Sequence, residues 1–116
     1  MPTLTWIKSV ENTWLGLDFP NLSEITTTGV YVIWHGGQKP HTVRVGQGII
    51  RDRLSAHKRD AAVTRYQPLG LWVTWAAVPA HQMDGVERYL ANLLSPLVGD
   101  AFPNVAPLAV NSPFAA

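Results

Sequence analysis

The side chains best suited to chemistry in this chain are a phenol, Tyr31, a guanidinium, Arg53, an imidazole, His57, and a carboxylate, Glu87. Arg53 carries a permanent charge on a planar fork that matches two oxygens of a phosphate. Glu87 borders an apolar helical row, so its carboxylate points along the domain rather than straight into water. One such carboxylate, completed by waters and substrate oxygens, suits Mg²⁺ or Mn²⁺. His57 falls on an apolar stripe, where it is either a hydrogen-bonded core residue or a proton-transfer group. Each of the others also has a plain structural reading. Glu87 could pair with Arg88 at the helix flank, and Arg53 could form an exposed ion pair with Asp60, which would contribute little. Tyr31 could be a strand tyrosine with its hydroxyl at the core rim.

Charge is concentrated near these residues. The net charge is only +1, yet Arg51, Arg53, Lys58, Arg59 and Arg65 fall within fifteen residues. A local basic face binds phosphate even on a nearly neutral protein. The alternative is a solvated helix face balanced by Asp52 and Asp60. The chain lacks cysteine, which excludes disulfides and thiolate metal sites. Its histidines, His35, His41, His57 and His81, form no pair at helical zinc-binding spacing. Gly46-Gln47-Gly48 leads into a helix start whose amides can hold a phosphate oxygen. It has neither the third glycine nor the parallel strand order of a dinucleotide site.

These residues must be positioned by a small fold. At 116 residues, 47% hydrophobic and 15% charged, the chain has the length and composition of one globular domain. Trp6, Val10 and Trp14 at i, i+4 and i+8 predict a helix over 3–17. Residues 29–34 and 41–46 predict a hairpin closed by Gly36-Gly37-Gln38-Lys39-Pro40, with Val43 and Val45 on one face. A helix from about 49 to 62 buries Ile50, Leu54, His57 and Ala61. A third strand spans 69–78 and ends at Pro79. A second helix, about 82–94, turns Val86, Leu90, Leu93 and Leu97 inward. Residues 98–116 read as an irregular tail over the core. The fold class is therefore α+β: a small, largely antiparallel three-stranded sheet flanked by helices. Most of the five tryptophans are expected in packing, with base stacking the lesser reading. No apolar run reaches membrane-span length and no secretory signal is legible, so a cytoplasmic protein is expected.

Taken in order, Gly29-Val30-Tyr31 on one strand, Arg44-Val45-Gly46 ending the next, Arg53-Leu54-Ser55-Ala56-His57 on a helix, Glu87 on a later helix and then Asn104 resemble the GIY-YIG nuclease superfamily. The resemblance covers residues 29 to about 104. It implies a divalent-metal-dependent endonuclease acting on DNA, with Tyr31 positioning or deprotonating the attacking water. It further implies Arg53 on the phosphate, His57 as a second basic group and Glu87 on a single Mg²⁺ or Mn²⁺. Arg44, Arg51, Lys58, Arg59 and Asn104 would contact nucleic acid, with Asn111 as an alternative to Asn104. Two features depart from the family pattern. Arg44 stands where the second motif opens with tyrosine, and the stretch from Gly46 to Arg53 is one residue shorter than the commonest form.

The missing tyrosine opens two alternatives to a nuclease. One is a relative that keeps the fold and binds nucleic acid without cutting, since Arg44 removes a phenol and adds a phosphate-binding charge. The other is a protein-interaction module using the tryptophan-rich surface. A lone nuclease of this size would need a partner protein, a homodimer, or low specificity.

Overall fold

The computed structural model describes residues 2–8, 13–18, 25–99 and 102–114. Its elements in chain order are β1 (Leu15–Gly16), β2 (Thr28–His35), β3 (His41–Ile49), α1 (Ile50–His57), α2 (Ala61–Thr64), β4 (Leu71–Ala77) and α3 (Ala80–Leu94). A short 3₁₀ turn, Gln67–Leu69, precedes β4. The sheet is antiparallel with strand order β1-β4-β2-β3. Among the described residues it has four strands, not three.

The fourth strand comes from the segment predicted as a helix. Residues 2–8 and 13–14 are not helical, and Leu15–Gly16 pairs with Val73 and Trp72 of β4. Residues 9–12 of that expected helix lie outside the described residues. The Ile7 amide donates to the Trp75 carbonyl at 3.0 Å and the Leu17 amide to the Leu71 carbonyl at 2.9 Å. The outer edge of β4 needs partners for its backbone groups, and that demand overrides the helical spacing of the tryptophans.

The two faces of the sheet bury separate cores. One gathers Tyr31, Ile33, Val43, Ile50, Leu54, Val63 and Val73 beneath α1 and α2. The other gathers Val30, Val32, Val45, Val86, Leu90 and Val110 beneath α3 and the tail. Val43 and Val45 thus serve opposite faces, contrary to simple alternation. Ile33 pairs with Arg44 and Trp34 with Thr42, so Val43 is the extra residue of a bulge.

The helix expected over 49–62 is broken. It stops at His57, and α2 begins after Asp60, whose side chain accepts from the Ala62 amide at 3.0 Å. Aspartate favours this capping position over a helix interior. Ile50, Leu54 and His57 are buried as expected, while Ala61 is exposed. On α3 the buried stripe is Val86, Glu87, Leu90 and Ala91. Leu93 and Leu97 are about half exposed instead.

The tail is irregular and packs on the second core through Val110. Trp34 and Trp75 are buried, Trp6 and Trp14 are half-buried, and Trp72 is exposed. Trp14 meets Trp34 edge-on at 5.2 Å, and Phe114 does the same at 4.8 Å. No helix among the described residues is long and apolar enough to cross a membrane.

Candidate functional site

Tyr31 sits in the middle of β2 opposite Gly46 of β3. Paired residues share a sheet face, so the ring crosses over Gly46 toward the outer strand. A Cβ at position 46 would collide with the phenol. Its hydroxyl meets His57 Nε2 at 2.6 Å, the two rings lying 5.3 Å apart. His57 is the last residue of α1, and its buried imidazole meets β2 through Tyr31.

Arg44 reaches the same face by ordinary strand alternation. It stands two residues before Gly46 and pairs with Ile33, and the bulge adds Val43 to that face beside it. Its guanidinium lies over Gly99, where any side chain would overlap it, and its Nε is buried without a hydrogen-bond partner. Arg53, on the first turns of α1, lies against Gly48, which adopts φ 131°. A Cβ there would come within 2.8 Å of Arg53 Nε.

Glu87 approaches from α3. It is buried, and its carboxylate accepts from Gln47 Nε2 at 2.9 Å. The same nitrogen donates to Asp84 at 2.7 Å. The two carboxylates therefore stand side by side at the edge strand, held by one amide.

The ionisation of these groups is coupled. Burial pushes the Tyr31 phenol above its usual range, opposed by Arg44 and then Arg53, and reinforced by Glu87. Burial depresses His57, as do Arg44 and Arg53, against the opposing pull of Asp60. Burial raises Glu87, with Asp84 adding to it, while the Gln47 hydrogen bond and the charges of Arg44 and Arg53 oppose. Tyr31, Arg44, Arg53, His57 and Glu87 come from four elements, yet Arg44 and Arg53 act on all three of the others. A neutral imidazole touching a protonated phenol can take its proton.

Of the anticipated site residues, Tyr31, Arg44, Arg53, His57 and Glu87 thus come together. Access is narrower than expected: Arg53 is exposed, but Tyr31 is only 2% exposed, so at most a small part of the phenol meets solvent. Arg51 and Arg59 are exposed and Lys58 is half-buried, with Arg51 beside Asp52 at 3.4 Å. Asn104 is exposed in the tail. Asn111 is structural: it accepts from the Leu4 amide at 2.6 Å and donates to the Leu4 carbonyl at 2.9 Å. Gln47, Asp60 and Asp84 join the site beyond the residues that the sequence marks. The spacing of Asp84 and Glu87, one helical turn apart, was a usable signal.

Among the described residues no three His, Asp or Glu side chains cluster as a closed metal cage. Asp84 and Glu87 still fit a hard divalent ion, because Mg²⁺ takes one or two carboxylates and keeps its waters. A cavity of about 440 Å³ lies elsewhere, at the far end of the hairpin, lined by Trp34, His41, Thr42, Leu93 and Phe114 among others. It brings together no coupled acid and base, so size does not make it the candidate site. In comparisons with known proteins, no family model, no curated protein and no solved structure matches the chain.

Proposed function

We propose that the chain is a divalent-metal-dependent endonuclease of GIY-YIG type, hydrolysing DNA phosphodiester bonds. The observation that carries this reading is the Tyr31–His57 contact of 2.6 Å within the fields of Arg44, Arg53 and the buried Glu87. Hydrolysis of a phosphodiester needs a deprotonated water, cations on the phosphate and a held geometry. Tyr31 and His57 supply the proton acceptors. Arg53, with Arg44 beside it, faces the phosphate oxygens. Glu87, with Asp84, would hold Mg²⁺ or Mn²⁺, whose chemistry is charge neutralisation and water activation.

A second reading is a nucleic-acid-binding site that does not cut. It is favoured by the burial of Tyr31 and by Arg44 at a tyrosine's place, since a water must reach the phenol for cleavage. One experiment separates the two. Purified protein is incubated with labelled DNA, with and without Mg²⁺ or Mn²⁺, alongside Glu87→Gln, Arg53→Ala and Arg44→Tyr. Metal-dependent cutting that Glu87→Gln abolishes and Arg53→Ala slows about 10²–10³-fold is the expected result. Retention of DNA without cutting, unchanged by Arg44→Tyr, overturns the nuclease reading in favour of binding alone.

A further inference from the structure

Asp60 has two oxygens with separate tasks. Oδ1 caps α2 by accepting from the Ala62 amide at 3.0 Å. That bond fixes the carboxylate and leaves Oδ2 at 3.8 Å from His57 Nδ1. Nδ1 is buried and makes no hydrogen bond of its own. On the opposite side of the ring, Nε2 is engaged by the Tyr31 hydroxyl.

We propose that Asp60 is a positioning residue that fixes the His57 tautomer, placing the proton on Nδ1 and leaving Nε2 free to accept from Tyr31. The alternative tautomer would aim the Nδ1 lone pair at a carboxylate, two electron-rich groups facing each other. It would also require the phenol to act as acceptor. A carboxylate behind the distal nitrogen of a histidine sets orientation and favours the protonated ring, whatever fold carries it. The break between α1 and α2 is what brings Asp60 there, so the capping turn has a second purpose.

The consequence for cleavage rests on the nuclease reading. The attacking water gives its proton to the Tyr31 oxygen as its own oxygen bonds to phosphorus. Tyr31 passes its original proton to His57 Nε2, forming an imidazolium. The bond from phosphorus to the leaving oxygen breaks with its electron pair, and that oxygen is protonated by solvent. The charged groups facing His57 are Arg44 from β3, Arg53 from α1 and Asp60 at the start of α2. The two arginines oppose the imidazolium and Asp60 favours it.

The test is long-range ¹H–¹⁵N NMR of the His57 ring in the full chain and in Asp60→Asn. Asparagine retains the helix cap and removes only the charge. The expected result is a protonated Nδ1 in the wild type and a lower titration midpoint for His57 in the variant. A wild-type ring protonated at Nε2, or an unchanged midpoint, overturns the proposal. Metal-dependent cleavage is followed separately: the acid limb of the Asp60→Asn profile should move to lower pH, with a plateau rate reduced about 10-fold, less than the roughly 10²–10⁴-fold that a general base itself contributes. A profile that keeps its acid limb counts against the relay. The expected tautomer in a protein that never cuts DNA would support the role of Asp60 and overturn the nuclease reading alone.

Discussion

Glu87 occupies a place on α3 that packing alone would give to an apolar residue, directly after Val86 and one turn before Leu90 and Ala91. Its hydrogen bond comes from neutral Gln47 rather than from a cation. Burial raises its pKa, so the ionised form is less comfortable folded than unfolded. For an acid with a raised pKa the penalty begins as pH rises through the ordinary carboxylate range. It levels off above the folded value. Glu87→Gln should therefore stabilise the metal-free protein at neutral pH, by roughly 0.5–2 kcal/mol, and the gain should disappear in acid. Thermal denaturation of both proteins across pH checks this, and a variant less stable than wild type at pH 7 would contradict it. Tyr31, Arg53, His57 and Glu87 were legible because residue type and order suffice to flag them. Gln47 and Asp60 were not, because each matters only through a neighbour forty residues or one helix break away.

At the scale of elements, the bulge in β3 decides which core Val43 joins. One inserted residue puts Val43 on the Tyr31 face beside Arg44, while Val45 serves the opposite core. Alternation predicts the strand correctly but cannot locate an insertion, so the strand's existence was readable and its facing was not. The N-terminal segment failed for a different reason: three tryptophan and valine positions matched a helix, while the open edge of β4 required a strand. Gly46 is where the strand and the site constrain each other. Any side chain there meets the buried phenol, which has no room to withdraw. Gly46→Ala should cost about 1–3 kcal/mol, the scale of an overpacked core, and displace Tyr31 from His57. Denaturation reads the first effect and the His57 ring resonances the second. An unchanged midpoint would mean that the phenol does not cross β3 in solution.

Over the whole molecule, the sheet separates two cores, and the candidate site lies at its outer edge, where the two faces meet. Tyr31 and His57 belong to the α1 side, while Gln47 and Glu87 belong to the α3 side. The segment after α3 covers the neighbouring stretch of that edge through the Leu97 and Val98 amides, at 3.1 and 2.8 Å from Thr42 and Val43. Exposed cations gather on the α1 side: Arg51, Arg53 and Arg59, with Arg65 over the Tyr66 ring at 5.3 Å. A chain of net charge +1 has no overall field to hold DNA, so the proposed binding would rest on this local group. Each arginine that neutralises a phosphate releases counterions, and log affinity then falls with log salt by about 0.9 for each duplex phosphate contacted. Changing Arg51 and Arg59 together to Ala should weaken binding to every DNA sequence alike and flatten the salt dependence by up to about two such increments. Neither residue touches the Tyr31–His57 pair, so the His57 tautomer should be unaffected. Binding titrations at several salt concentrations read the slope directly. An unchanged slope would show that these charges are solvated rather than engaged, and would remove the basic run of α1 from the interface.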